Sequence, residues 1–277
     1  MRLHVTHTTT YRFSEPVRGL VQSLRMRPAE FEGQTIIEWS RTVTDAVFGA
    51  GFHDGAGDFV ETASIRGFVS QIEVTNEGIV ETSDMAGVLR GHRERIAPEV
   101  YLQSTDATEP DPAIAALAET AVAGIAAEDV LERAHALSAA VQEALVYSPG
   151  ETDAHTRAAE ALEQGKGVCQ DLAHLLIAAA RAAGIPARYV CGYLHTDGAD
   201  DLIGASASHA WAELHVPALG WVAFDPTNGV CPDERYVRLG SGLDAEDAAP
   251  IRGIVMGRGD ETLDVTVAVQ NMQQQQS

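Results

Sequence analysis

The chain has 277 residues, of which 45% are hydrophobic, so it is long enough to fill the cores of two ordinary domains. Its 40 acidic residues outnumber its 19 lysines and arginines, and the formal net charge of -21 would repel nucleic acids and anionic membrane surfaces. We interpret this charge as a source of solubility rather than as an acidic docking surface.

No stretch has the apolar length of a membrane span, and the N-terminus lacks the apolar core of a secretory signal, so we expect a cytoplasmic protein. Three cysteines without close spacing do not form the pattern of a disulfide framework. A zinc site would need several cysteines or histidines to converge, and no C-x-x-C or H-x-x-x-H pair occurs. The sequence therefore predicts neither a metal nor a cofactor.

The first part of the chain, up to about Glu81, consists of short segments in which apolar and polar residues alternate, such as Ser64–Val74. Glycine- and aspartate-rich turns such as His53–Asp58 separate these segments. Alternation of this kind predicts strands with one buried face. With the connecting stretch that follows, residues 1–105 are predicted to form an antiparallel β-rich N-terminal domain.

Two helices are predicted next. Asp111 is placed as an N-cap, and Pro112 occupies the first helical position. The apolar residues of this first helix follow at helical spacing: Ile114, Leu117, Ala118, Ala121, Val122 and Ile125. The second helix has its inward residues at Val130, Ala134, Leu137, Val141 and Leu145.

A third helix is predicted from Cys169 to Ala183, and Gly184 and Pro186 supply its stop. Its buried face comprises Leu172, Leu175, Leu176, Ala179, Ala180 and Ala183. Cys169 thus lies in the first turn, where unpaired N–H groups and the helix dipole stabilise a thiolate. The backbone N–H of Cys169 is also free to donate to an oxyanion. We expect Cys169 to be a reactive thiol.

A hairpin is predicted after this helix. The residues His209–Val216 alternate, with His209 on the more polar face, and Trp221–Asp225 returns as a short strand. His209 and Asp225 both lie at the open end of the hairpin, so their side chains are expected to be near neighbours. A carboxylate there would fix the tautomer of the imidazole. Cysteine, histidine and aspartate in this order have the layout of a nucleophile, its base and an orienting acid.

Other residues near these motifs have structural interpretations that we prefer. Asp171 lies in the first turn of the helix, and we expect it to interact favourably with the helix dipole rather than to steer a cationic substrate. His174 is expected to pack or cap rather than act as a second base. Cys191 is interpreted as a small buried hydrophobe. Trp211 and Trp221 are left open between packing and walling an acyl tunnel.

Two further strands are predicted near the C-terminus, at 251–256 and 263–269, and they are expected to complete the sheet of the second domain. This domain is assigned to residues 106–270. The remaining residues, 271–277, contain a run of four glutamines and are expected to form a disordered tail.

Four motifs, taken together in this order, resemble the bacterial transglutaminase-like (papain-like cysteine enzyme) family. They are the segments 167–174, 184–190, 208–211 and 220–228. The segments 3–11, 16–17 and 24–28 also resemble the β-rich N-terminal domain that accompanies this core in many bacterial members. The chain departs from the family pattern at 229–235, where a histidine-containing stretch would be expected.

The resemblance implies an α+β protein in which a β domain precedes a papain-like core of helices packed on an antiparallel sheet. It implies Cys169 as nucleophile, His209 as general base and acid, and Asp225 as the orienting residue. The expected partner is a peptide or protein amide substrate. Hydrolysis of a peptide or isopeptide bond is our first interpretation, transamidation of glutamine the second, and a non-catalytic scaffold the third. The intact set of three residues argues against the scaffold.

Overall fold

The computed structural model describes residues 1–196 and 208–272. The described chain is a mixed α+β protein in which strands are mostly antiparallel. The N-terminal strands are β1 (Arg2–Leu24), β2 (Gln34–Val43), β3 (Val47–His53) and β4 (Phe59–Thr82). None of the helices in the described ranges is long and apolar enough to cross a membrane.

The first sheet is built around its two longest strands, β1 and β4, which run antiparallel with Thr8 opposite Thr75. Buried and exposed side chains alternate along much of both strands because successive residues point to opposite faces of a sheet. Strands β2 and β3 both pair with β4. The antiparallel β structure predicted for this part of the chain, including the turn at His53–Asp58, is confirmed.

The two C-terminal strands belong to this first sheet. They are β11 (Ile251–Val255) and β12 (Glu261–Asn271), and both pair antiparallel with β1. Our expectation that the strands at 251–256 and 263–269 complete the second sheet is therefore wrong. β1 is long enough to offer one edge to β4 and the other to both C-terminal strands, and alternation along a strand carries no information about its partner. The residues 273–277 of the expected tail lie outside the described ranges.

The helices follow the first four strands. They are α1 (Pro112–Ala121), α2 (Val130–Ala144), α3 (Ala158–Gln164) and α4 (Cys169–Ala182), and 3-10 turns occupy Pro98–Leu102 and Asp106–Thr108. The predicted cap of α1 is present, since Asp111 Oδ1 accepts a hydrogen bond of 2.8 Å from the N–H of Ile114. α1 ends at Ala121, four residues before Ile125, which was the last apolar residue expected in this helix. The sequence pattern does not predict α3.

The second sheet packs against α4. Its strands are β7 (Ala187–Leu194), β8 (Ser208–Val216), β9 (Gly220–Phe224) and β10 (Tyr236–Gly242), in the antiparallel order β10-β7-β8-β9. A short parallel pair, β5 (Val146–Tyr147) and β6 (Lys166–Gly167), precedes α4. α4 is buried nearly all round because α1, α2 and α3 contact it from one side and β7 and β8 from the other.

Buried ion pairs join the two parts of the molecule. Glu213 on β8 accepts a 2.7 Å hydrogen bond from Arg188 and a 3.0 Å hydrogen bond from Arg238. Arg238 also donates to Asp58, just before β4, at 2.7 Å. Arg188 forms a second ion pair with Glu94, in the segment that connects the first sheet to α1. The polar side of the predicted hairpin is therefore covered by charged partners rather than by solvent.

Candidate active site

The candidate nucleophile, Cys169, is the first residue of α4, as predicted. Gly167 lies two residues before Cys169. A Cβ atom at position 167 would lie 2.6 Å from the Cβ of Asp171, so only glycine fits there. Asp171 Oδ2 accepts hydrogen bonds from the N–H of Val168 at 2.8 Å and from the hydroxyl of Thr152 at 2.7 Å. The preferred interpretation of Asp171 as a residue that stabilises the helix start is confirmed.

The hairpin places His209 beside Asp225. His209 is the second residue of β8, and Asp225 directly follows β9, diagonally across from it in the antiparallel register. His209 Nε2 and Asp225 Oδ2 are 2.7 Å apart, and both side chains are almost fully buried. Because Nε2 is committed to the carboxylate, Nδ1 is the ring nitrogen left to exchange a proton with a thiol.

The electrostatics of the site favour a protonated imidazole. Burial lowers the pKa of His209, but hydrogen bonds to Asp225 and Cys169 and the charges of both groups outweigh it and raise the pKa to about 10. Burial raises the pKa of Asp225, and hydrogen bonds from His209, Asn228 and Tyr236 reverse this effect and lower it. The structure thus brings Cys169, His209 and Asp225 together, and their arrangement can hold a thiolate beside an imidazolium.

Two residues that the sequence analysis did not single out also hold Asp225. Asn228 donates from its side-chain amide to Asp225 Oδ2 at 2.7 Å, and the hydroxyl of Tyr236 donates to the same oxygen at 2.8 Å. The N–H of Thr227 donates to Oδ1 at 2.9 Å. The spacing of Asp225 and Asn228 in one turn was a usable signal, because aspartate carboxylates often accept bonds within a turn. Tyr236 is on another strand and leaves no such local signal.

His174 is a packed residue, as expected. It accepts a 3.0 Å hydrogen bond from the N–H of Ala245 and contacts the ring of Tyr189 at 5.1 Å. Burial lowers the pKa of His174 to about 4. A neutral imidazole in this position belongs to the packing around α4 rather than to proton transfer with Cys169.

The structure also shows that the two tryptophans, whose role between packing and walling a tunnel was open, pack in the core. Trp211 is 2% exposed, lies roughly parallel to the His209 ring at 6.4 Å and meets Tyr236 edge-on at 5.5 Å. The guanidinium carbon of Arg188 lies 4.1 Å from the ring centroid of Trp221. The indole N–H of Trp221 donates a hydrogen bond to Glu94. Both indoles are therefore core residues, and Trp211 forms a rigid backing for His209.

All three cysteines are free thiols. Cys191 donates to the carbonyl of Ala248 at 3.1 Å, and burial raises its pKa to about 11. Burial, followed by the charge of Asp84, also raises the pKa of Cys231. Within residues 1–196 and 208–272 no three histidine, cysteine or carboxylate side chains are grouped so that they could hold a metal ion.

These differences predict selective alkylation. At about pH 6 we expect iodoacetamide to modify Cys169 at least about tenfold faster than Cys191 or Cys231, because only Cys169 has an imidazolium partner and a helix N-terminus. Peptide mapping by mass spectrometry after brief labelling measures the three rates. Equal labelling, or labelling of Cys169 only after denaturation, would contradict an activated thiol at this position.

Comparisons with known proteins agree with this architecture. The family models of the transglutaminase-like superfamily and of the bacterial transglutaminase-like N-terminal region match residues 116–226 and 3–81, respectively. An uncharacterized protein of Mycobacterium leprae is 32% identical over 281 residues, which cover 97% of this chain and 98% of the relative. A protein-glutamine gamma-glutamyltransferase of Pseudomonas aeruginosa is 39% identical over 82 residues, which cover 28% of this chain and 12% of that protein.

A solved structure shares the fold over nearly the whole chain. The crystal structure of a candidate cysteine protease from Cytophaga hutchinsonii aligns with a TM-score of 0.72 at 23% identity, covering 98% of this chain and 91% of the other. The predicted fold class, an α+β protein with an antiparallel β region and a transglutaminase-like core, is confirmed.

Proposed function

Because the chain belongs to the transglutaminase-like superfamily, we propose that it is a cysteine hydrolase that cleaves peptide or isopeptide amide bonds. Cys169 would be the nucleophile, His209 the general base and acid, and Asp225 the orienting carboxylate. The observation that carries the proposal is the buried hydrogen bond of 2.7 Å between His209 and Asp225, which leaves the other side of the imidazole to Cys169.

Acylation begins with transfer of the thiol proton of Cys169 to His209 Nδ1. The thiolate sulfur attacks the carbonyl carbon of the substrate amide, and a C–S bond forms as the carbonyl oxygen becomes an oxyanion. Collapse of this tetrahedral intermediate breaks the C–N bond. The imidazolium gives its proton to the leaving amine, so a thioester and a free amine remain.

The first turn of α4 stabilises the negative charge of these steps. The first N–H groups of a helix have no intrahelical acceptor, so the N–H of Cys169 can donate to the oxyanion that forms beside its own sulfur. The positive end of the helix dipole acts on the thiolate and on the oxyanion alike. Nucleophile and oxyanion donor thus come from the same residue.

Deacylation repeats the proton transfers with a new acceptor. Neutral His209 takes a proton from water, the hydroxide attacks the thioester carbonyl, and breakage of the C–S bond releases the acid and regenerates Cys169. An amine acceptor would follow the same path and yield a new amide. The choice between hydrolysis and transfer therefore depends only on which acceptor reaches the thioester.

Transamidation is the second candidate because of the Pseudomonas aeruginosa relative, which is named as a protein-glutamine gamma-glutamyltransferase. That match covers only 28% of this chain. A transferase must hold an amine against water at about 55 M by binding and desolvation. Since Trp211 and Trp221 are both packed in the core, neither walls an amine channel, and we favour water as the acceptor.

The products of a competition assay test this choice. When a peptide with a glutamine or amide substrate group is incubated with millimolar primary amine, we expect mainly free acid with ammonia or cleaved peptide, and little amine adduct. Mass spectrometry of the products measures the ratio. The Cys169→Ala variant is the control, since it removes the sulfur that would form the thioester.

A predominant adduct at millimolar amine would overturn the hydrolase proposal in favour of transamidation. If neither product forms with any peptide amide while Cys169 still labels selectively, the thiol is activated and the proposed substrate class is wrong.

A further inference from the structure

The hydroxyl of Tyr236 shares an acceptor with the imidazole. It donates to Asp225 Oδ2 at 2.8 Å, and the same oxygen accepts the proton of His209 Nε2 at 2.7 Å. Tyr236 begins β10, whereas His209 and Asp225 belong to the β8–β9 hairpin. The bond therefore ties the acid of the candidate triad to a strand that lies two positions away from β8 in the sheet.

We infer that Tyr236 is a positioning residue that fixes Asp225 and limits how strongly this carboxylate raises the basicity of His209. The inference rests on the proposed function, because it assigns Tyr236 a role in the same triad. A phenol that donates to the oxygen engaged by the imidazole takes up part of the negative charge of the carboxylate. The imidazolium is then stabilised less than it would be by Asp225 without this donor.

The phenol ring is held firmly. It is 5% exposed, and the edge-on contact of 5.5 Å with Trp211 and the tilted contact of 6.0 Å with His209 restrict its rotation. Tyr236 and Trp211 also line a small pocket whose other walls include Gln34 and Met85 from the N-terminal half of the chain. A ring packed in this way presents its hydroxyl to Asp225 in one orientation.

The strand that carries Tyr236 is anchored to the first sheet. Two residues further along β10, the N–H of Arg238 donates to Gln34 Oε1 and the amide of Gln34 donates back to the Arg238 carbonyl, both at 2.8 Å. The guanidinium of Arg238 is paired with Glu213 and Asp58. The N-terminal region thus braces the strand from which Tyr236 reaches the triad.

The phenol remains a proton donor across the working range. Burial, followed by the negative charge of Asp225, raises the pKa of Tyr236 far above its ordinary value. Asp233 raises it further, and Arg235 opposes the shift. Among the described residues, the groups that raise the pKa of His209 are Asp225 and Cys169, and Tyr236 is hydrogen-bonded to Asp225.

Removing the hydroxyl has two consequences. In Tyr236→Phe the carboxylate of Asp225 binds the imidazolium more strongly, so His209 keeps its proton to higher pH. The same imidazolium is a weaker acid toward the leaving amine, and Asp225 is less firmly placed. We therefore expect kcat to fall about tenfold while KM stays within about twofold.

The experiment compares Tyr236→Phe with the wild type and with Tyr193→Phe. Tyr193 is a matched control, because it lies on β7 of the same sheet and its buried hydroxyl also makes a side-chain hydrogen bond, at 2.8 Å to His7 Nδ1 on β1, away from the triad. An NMR titration of the His209 imidazole between about pH 6 and 11, assigned by comparison with His209→Ala, gives the pH midpoint of its deprotonation without any substrate. The kcat and KM values are measured on the substrate found for the wild type, and thermal unfolding shows that each variant is folded.

The inference is supported if Tyr236→Phe alone moves the deprotonation midpoint of His209 to higher pH and lowers kcat. A variant that matches Tyr193→Phe in midpoint and in kcat overturns it, as does one whose midpoint moves to lower pH. If Tyr236→Phe does not fold, 3-fluorotyrosine at this position provides the test. Its more acidic phenol is a stronger donor, so the midpoint of His209 should move to lower pH, and an unchanged midpoint overturns the inference.

The titration of His209 separates this inference from the proposed function. A wild-type protein that hydrolyses no peptide amide, but whose His209 midpoint moves to higher pH in Tyr236→Phe, would refute the proposed reaction and support the role of Tyr236. Amide hydrolysis with identical midpoints in wild type and Tyr236→Phe would support the reaction and refute that role.

Discussion

Replacement of Cys169 by alanine is expected to lower kcat/KM for amide hydrolysis by at least about 10⁴-fold, and His209→Ala is expected to cost nearly as much. The two residues act as a unit, since the thiolate forms only when the imidazole accepts its proton, so removal of either one abolishes the same step. Initial rates at pH 7 on the peptide substrate, with active-site titration of the wild type, measure both losses.

Asp225→Asn is expected to retain a folded protein with a smaller loss, about a hundredfold. The amide has a shape close to that of the carboxylate and can still bond to His209, but it carries no charge to stabilise the imidazolium. Matched controls are Cys191→Ala, a second cysteine at the core, and His215→Ala, a second histidine on β8. Both controls should retain wild-type kcat/KM within about threefold.

Two results would contradict the assignment. A Cys169→Ala variant with more than about 1% of wild-type activity would show that another group is the nucleophile. An inactive His215→Ala variant that is folded and whose Cys169 still labels selectively would show that catalysis uses a histidine outside the proposed set.

The parts of this site that were predicted from the sequence are those determined by neighbouring residues. The helix that begins at Cys169 is visible in the spacing of its apolar residues and in the glycines before it. The hairpin from Ser208 to Phe224 is visible in its alternation and in the turn that divides it. Because β8 and β9 are connected by a short turn, their register follows locally, and the proximity of His209 and Asp225 follows with it.

The parts that were missed depend on pairings between residues distant in sequence. β12 pairs with β1 although about 250 residues separate their partners, and alternation cannot indicate which edge a strand will find. Tyr236 approaches Asp225 because β10 pairs with β7 rather than with the hairpin that precedes it. The local sequence pattern indicates neither pairing. The hydrogen bond between Tyr236 and Asp225 could therefore not be predicted before the fold was known.

Glu213 is a further case of this kind, and it carries the largest expected effect on stability. The alternation of β8 assigns it to the polar face of the hairpin, yet Glu213 is 2% exposed and lies between Arg188 and Arg238. Glu213 can be buried because the fold brings Arg188 from β7 and Arg238 from β10 to its carboxylate. A buried charge without such partners would be too costly to keep.

Glu213→Gln is expected to lower the free energy of unfolding at pH 7 by about 3 kcal/mol, because it leaves two buried guanidinium groups without their shared counter-charge. The residual pairs of Arg188 with Glu94 and of Arg238 with Asp58 limit the loss. Urea unfolding followed by circular dichroism measures the difference.

The effect should also depend on pH in a defined window. Burial raises the pKa of Glu213, but the charges of Arg238 and Arg188 and their hydrogen bonds outweigh it and lower the pKa from 4.5 to about 2. The unfolded chain therefore takes up a proton near pH 4.5, before the folded protein does, and the stabilisation present above that pH is lost as the pH falls toward 2. A shift of this size corresponds to about 3 kcal/mol, in agreement with the loss expected for Glu213→Gln.

Wild type and Glu213→Gln should accordingly differ most at neutral pH and converge as the pH approaches 2. The control is Glu151→Gln, which removes an exposed carboxylate paired with Lys166 at 3.1 Å and should change the unfolding free energy by less than about 0.5 kcal/mol. A Glu213→Gln loss below about 1 kcal/mol, or one that is the same at pH 7 and pH 3, would show that Arg188 and Arg238 are satisfied by Glu94 and Asp58 alone. The bridge from the first sheet to the strands of the candidate site would then not depend on Glu213.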